Sequence, residues 1–437
     1  MGKANSQALV EHVFRHEYGK IISLLTHKFG PSHLERIEDA VQDSLIKAMQ
    51  VWGYKEPPQN PTAWLLRVAN NQLIDRLRKD KKMVASDLEP FFKKATATSK
   101  EVQLNDIIND SLLKMIFACC HPSLSQEYQI ILSLKLMAGF GNSEIARAML
   151  KKEETVAKSF TRAKRRLRDK VKTLDTPIEL GLKSRLNIVL KVIYLIFSEG
   201  YAASSGTVLI KKDICLEAIR LARLLTNNKY CNQPEVHALI ALMYFHTSRF
   251  DARIDGLGNM VDLENQYRKL YDSELIKKGI QHMEEASSSP PISDYHIQAA
   301  ISYNHCTAKN FSQTDWKAIL RLYDLQLQRQ YSPIVQLNRI VPFHKVFGAK
   351  KANQELQEFE KSPHFMGNAL FYAIKAEVSK DLKEYSKSKE ALEKAIELTQ
   401  NEQEKRHLKG AGSFILGGLI TLIPAQAAEM TAIRLPV

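Results

Sequence analysis

Apolar residues return every three or four positions along nearly every ordered stretch of this chain, and nowhere do runs of alternating Val, Ile and Thr recur between turns. A chain patterned in this way has helical stripes to bury, so the expectation is an all-α fold. At roughly 100 to 200 residues per domain, 437 residues make two to four domains. Hydrophobic residues are 44% of the chain and charged residues 25%, which supplies sizeable cores and excludes wholesale disorder. Five cysteines, three isolated and two adjacent, make no disulfide framework and fit a reducing compartment. The start, Met-Gly-Lys-Ala-Asn-Ser-Gln, has no apolar core behind its charge, so no secretory signal is read. The longest apolar run, residues 414–425, is too short and too Gly-rich to span a bilayer. The expected setting is cytoplasmic, without a membrane partner.

Breaks in the periodicity divide the chain. One helix is expected over residues 9–29, closed by Gly30-Pro31-Ser32, and a second over 34–52. Three prolines mark residues 53–61 as a loop, and Pro61-Thr62 opens a third helix that runs into basic residues near Lys82. These make a first helical module over 8–83. Residues 84–104 read as a linker, since 84–101 lose their period and turn to Ser, Thr, Ala and Lys. A second module spans 105–174 and is closed by Asp175-Thr176-Pro177. Residues 178–409 carry further helices with short connections, expected as helix pairs stacked side by side. Tyr372, Ala376, Tyr385, Ser388, Leu392 and Ala395 fall near tetratricopeptide positions, and a plain antiparallel hairpin predicts much the same packing. Residues 410–437 form an atypical apolar tail.

Where chemistry sits follows from charge. The chain carries a formal charge of +14. Residues 158–172 hold eight basic side chains and one acid, and residues 76–82 five basics and one acid, so most of the excess lies in two short runs. Such runs are often solvated helix faces, but localised ones also attract polyanions. In the second module, residues 142–150 read as a short capped helix, then a tight turn, then a longer helix from Glu153, which is a helix-turn-helix. Val156, Phe160, Ala163 and Leu167 form its inward stripe, so Lys158, Thr161, Arg162 and Arg165 point outward together, at a spacing suited to the major groove. Arg166, Arg168, Lys170 and Lys172 continue toward the phosphate backbone.

On the second helix Ile37, Val41, Leu45, Ala48 and Trp52 share the core face. Asp39, Gln42, Asp43, Ile46 and Gln50 lie opposite, either as solvated surface or as a docking face for a basic protein helix. The third helix interleaves Trp64 with Arg67, Asn70, Asn71, Arg76 and Arg78, residue types that read base edges and stack on unpaired bases, although a Trp here also serves as a core anchor. Cys119-Cys120-His121 lacks the spaced partner a tetrahedral metal site needs. Ser198-Glu199-Gly200-Tyr201 lacks the glycine spacing of a nucleophile elbow, and no glycine loop is built to cradle phosphate. No catalytic residue, metal site or cofactor is expected.

With these residues in place, the sequence resembles the extracytoplasmic-function sigma factors of bacterial RNA polymerase. The resemblance rests on residues 38–43 (Glu-Asp-Ala-Val-Gln-Asp), 60–65 (Asn-Pro-Thr-Ala-Trp-Leu), 74–78 (Ile-Asp-Arg-Leu-Arg) and the helix-turn-helix. Residues 116–122, 192–201 and 314–316 extend it to the subgroup with a long C-terminal helical extension, as far as about Leu408. It implies a non-enzymatic promoter-specificity subunit. Residues 8–83 correspond to sigma region 2, with Asp39, Gln42, Asp43 and Ile46 docking on the β′ clamp helices. Trp64, Arg67, Asn70, Asn71, Arg76 and Arg78 then serve minus-10 recognition. Residues 105–174 correspond to sigma region 4, which meets the β flap and reads the minus-35 element through Thr155, Lys158, Thr161, Arg162, Arg165 and Arg166. The linker threads past the polymerase active site, and the extension modulates activity or engages another protein. The alternative is a polymerase-independent helix-turn-helix regulator with a helical-repeat sensor domain.

Overall fold

The computed structural model describes residues 17–52, 57–79, 97–149, 151–174, 179–201, 210–256, 259–288, 291–361, 365, 367–399, 405–406 and 408–409. The expectations for residues 9–16, 84–96, 175–177 and 410–437 lie outside them. No strand occurs among the described residues, only an isolated antiparallel bridge between Ile254 and Met260, and the fold is all-α as the periodicity requires. The chain divides into two compact units, Met1–Ile196 with Asn227–Cys231, and Phe197–Thr226 with Asn232–Val437.

In the first unit α1 (residues 17–29) ends at Gly30, whose positive φ of 86° turns the chain into a 3₁₀ turn, Pro31–His33. Helix α2 (Leu34–Trp52) follows, and all five residues expected on its core face are buried. Helix α3 (Pro61–Lys79) starts where Asn60 accepts a hydrogen bond from the Ala63 amide at 2.9 Å and Pro61 occupies the first turn, an arrangement that satisfies one orphan amide and removes another. Helix α4 (Ala97–Cys119) begins inside the segment expected as linker. Helices α5 (Gln126–Leu136), α6 (Asn142–Ala148) and α7 (Glu153–Lys170) build the helix-turn-helix, and α8 (Glu179–Tyr201) runs from this unit into the second.

The two modules of this unit pack on one another. A Cβ added at Gly19 of α1 would stand 2.2 Å from the Met137 carbonyl oxygen at the end of α5, so the two backbones touch there. Ser111 of α4 hydrogen-bonds His27 of α1 at 3.0 Å. Cys119 and Cys120 are fully buried where α4 ends, and burial pushes both thiols up, Cys120 to about 12, which leaves them protonated and unreactive.

In the second unit α9 (Lys212–Thr226), α10 (Pro234–Thr247), α11 (Ser273–Ala286) and α12 (Asp294–Thr307) precede α13 (Trp316–Arg329), α14 (Pro333–Phe347), α15 (Ala349–Glu360), α16 (Ala369–Asp381) and α17 (Tyr385–Leu398). Successive helices pack as neighbours, as in stacked hairpins. One core joins Ile297, Ile319, Val335, Leu337, Leu356 and Phe371, and a second lies between α16 and α17 around Ala376, Leu392 and Ala395. Ser388 donates to the Ala376 carbonyl at 2.7 Å across that hairpin, whereas Tyr385 stands out in solvent.

Candidate polymerase and nucleic-acid interfaces

Helix α7 takes its orientation from a buried stripe of Val156, Phe160, Ala163 and Leu167, together with Ser159. Glu127 of α5 clamps the helix-turn-helix by accepting from Lys151 at 2.9 Å and from Ser159 at 3.1 Å. Glu144 reaches back to accept from the Gly141 amide at 2.8 Å, which caps the short helix α6. Phe160 lies between two ammonium groups, Lys164 at 4.7 Å and Lys135 at 5.7 Å from its ring centroid. With the stripe inward, Thr155, Lys158, Thr161, Arg162, Arg165 and Arg166 are all exposed and form one electropositive face.

The opposite edge of α7 is engaged by the first module. Lys164 donates to Glu38 of α2 at 2.6 Å, and Arg168 pairs with Glu35 at 3.2 Å. Glu38 is 6% exposed, and its carboxyl is raised above the usual range by burial, against which Lys164 pulls it down. Tyr18 also bonds Glu38, and burial followed by that carboxylate pushes its phenol up. Arg168 thus meets an acid rather than extending the free basic run.

On α2, Asp39, Gln42 and Ile46 are exposed and Asp43 is partly so. Arg76 of α3 donates to Asp43 and lies 3.8 Å from Asp39, so a side chain expected on DNA sits beside the expected docking acids and offsets part of their charge. Ile46 is 53% exposed and Met49 is 46% exposed, an apolar pair next to those acids. Met49 is absent from the sequence-derived set, although its spacing of three from Ile46 was a usable signal.

The α3 residues separate by face. Arg67, Asn71 and Arg78 are exposed. Trp64 packs against Trp52 with ring centroids 5.3 Å apart. Asn70 is buried; its oxygen accepts from Lys28 and its nitrogen donates to Asn71, each at 3.5 Å.

No metal cluster forms at Cys119-Cys120-His121 among the described residues. A His–Glu–Asp group elsewhere, His344, Glu377 and Asp381, brings its donor atoms within 4.8 Å of one another. There His344 pairs with Asp381 at 3.0 Å, and Glu377 already faces the Lys345 ammonium at 3.9 Å. Ser198, Glu199 and Gly200 lie within α8, all buried, with no exposed nucleophile. No described helix is long and apolar enough to cross a membrane.

Residues 13–83 match the family described as Sigma-70 region 2, and residues 114–167 the one described as Sigma-70, region 4. Residues 185–287 match a family of unknown function, DUF6596. Over 382 residues the chain is 32% identical to Uncharacterized protein R00370 of Rhizobium meliloti (strain 1021), a match covering 86% of this chain and 89% of that one. No solved structure matches. Two sigma regions in order, followed by the helical extension, therefore place this chain among the extracytoplasmic-function-type sigma factors with a C-terminal extension, which act with RNA polymerase and promoter DNA in transcription initiation.

Proposed function

We propose that the α2 face of Asp39, Gln42, Asp43 and Ile46 docks on the β′ clamp helices of core RNA polymerase. On that platform α3 reads the minus-10 element and α7 reads the minus-35 element near the β flap. Arg67, Asn71 and Arg78 are the accessible minus-10 contacts, with Trp64, Asn70 and Arg76 positioning α3. Thr155, Lys158, Thr161, Arg162, Arg165 and Arg166 face the major groove. The extension modulates this activity, the chain catalyses no reaction of its own, and it works in the cytoplasm.

The observation that carries the reading is the undivided exposure of the six α7 residues on the second helix of a helix-turn-helix, opposite a buried stripe that is apolar except for Ser159. The acidic α2 edge with Ile46 beside it supports docking, because apolar residues flanked by charge suit a protein partner better than water. Run-off transcription with core polymerase and the full chain tests both parts. Transcripts should start at a cognate promoter. Asp39→Arg with Asp43→Arg should abolish polymerase binding without unfolding, whereas Arg162→Ala with Arg165→Ala should keep it and lose about 1 to 3 kcal/mol of promoter affinity per base-reading contact removed. Polymerase binding that survives the charge reversal unchanged refutes the docking face, and promoter affinity untouched by the arginine pair refutes the reading helix.

A further inference from the structure

The two largest fully buried side chains in the described structure are arginines, both in the turn that follows α10. Arg249 is 2% exposed and Arg253 is 0%. Guanidinium groups stay protonated in proteins, so two positive charges are held out of water here. Among the described residues no carboxylate lies within 4.0 Å of either one. The acids nearest in sequence are engaged elsewhere: Asp251 with Lys212 at 2.6 Å, Asp255 with the Asn259 side chain at 3.1 Å, and Asp262 with the Asn265 side chain at 3.0 Å. The stretches 202–209 and 257–258, which adjoin this part of the chain in sequence, contain no acid.

The surroundings add donors instead of counter-charge. The Arg253 guanidinium stacks 3.8 Å from the centre of the Tyr201 ring, and that ring lies 4.6 Å from His246. Gln266 Oε1 accepts from Arg249 at 3.2 Å and from Tyr271 at 2.9 Å, and Arg268 donates to the Tyr271 hydroxyl and to the His305 carbonyl. Burial first, then Arg249 and Arg253, holds His246 well below its ordinary value, and burial with Arg249 and Arg268 holds His305 at about 3. Across this group the Nη2 atoms of Arg249, Arg253 and Arg268, the Tyr201 hydroxyl, and Nδ1 of His246 and of His305 are buried without a hydrogen-bond partner. Native interiors rarely leave so many polar atoms unmatched in one place. Water satisfies a donor but does not cancel a charge, whereas an oxyanion does both, and paired guanidiniums are the planar fork that binds one.

We propose that the extension holds a small oxyanion, the phosphate or carboxylate group of a small molecule, between Arg249 and Arg253 with Tyr201, His246 and Arg268 around it. The site lies in the C-terminal unit and does not depend on the docking and reading faces. Inorganic phosphate and, in a separate arm, acetate are the probes. Equilibrium dialysis of the full chain at fixed ionic strength should give one saturable phosphate or acetate per chain, with a melting temperature that rises with ligand concentration against a chloride control. The arm that saturates identifies the group. Arg253→Met should weaken binding at least tenfold while melting no lower than the unliganded parent, because it removes an uncompensated buried charge. Arg249→Lys, which keeps charge but loses the fork, should weaken it as well. Arg162→Ala with Arg165→Ala should bind as the parent does, which separates this site from the exposed basic helix. Failure of both anions to saturate, or binding in Arg253→Met and Arg249→Lys equal to the parent, overturns the proposal. Should Arg253→Met not fold, Arg249→Lys and the dialysis of the parent decide it.

Discussion

Glu38 and Lys164 pair across the first unit, a carboxylate that is almost fully buried with its ammonium partner at 2.6 Å. The desolvation of such a pair nearly cancels its attraction, so its worth appears only when one member is removed. Lys164→Met should cost about 3 kcal/mol at pH 8, where it strands the Glu38 charge, and less as the pH falls, since burial raises that carboxyl and favours its neutral form. The double variant Glu38→Gln with Lys164→Met should recover most of the loss. Urea titrations read by tryptophan fluorescence check this, and a double variant no more stable than the single one contradicts it. Nothing local in the sequence announces this pair, since its members are 126 residues apart.

Helices were legible wherever one apolar stripe decides the packing. Ile37, Val41, Leu45, Ala48 and Trp52 on α2, and Val156, Phe160, Ala163 and Leu167 on α7, are buried as their spacing requires. The exposure of Thr155, Lys158, Thr161, Arg162, Arg165 and Arg166 follows from the same spacing. Legibility ended where position is set by another helix. Asn70 has the right chemistry for a base reader, yet it falls on the buried side of α3, and Arg76 turned out to be held by Asp43. Helix α4 starts within residues whose composition suggested a linker, since propensity is a weak guide at helix ends. Gly19 is a further case, because a glycine inside a helix reads as a poor helix former when its use here is to let α1 lie directly on the Met137 backbone. Gly19→Ala gains in helix propensity but forces the two backbones apart, and the net loss should be about 1 to 3 kcal/mol. A lower melting temperature checks it, and an unchanged or higher one shows that α1 is free to move.

For the molecule as a whole, burial lowers the proton affinity of several histidines, His121 of the first unit among them. Burial foremost holds His246 well below its ordinary value, His282 at about 4 and His305 at about 3, all in the extension, where the arginines or a second histidine reinforce the effect. His282 shows the consequence most simply, for its Nδ1 shares a proton with that of His237 at 2.9 Å, and two protonated rings cannot keep that contact. The folded state binds the His282 proton less tightly than the unfolded chain does. Its stabilising contribution is therefore complete above pH 6.5 and drains away as the pH falls toward about 4. Allowing for partial exposure of the ring, His282 alone should withdraw about 2 kcal/mol over that window. His282→Gln, which cannot take up the proton, should flatten the decline of melting temperature between pH 6.5 and 4.5 relative to the parent. Parallel pH profiles for the two proteins would show instead that the imidazole pair opens without cost and that the acid sensitivity of the extension resides in its deeper histidines.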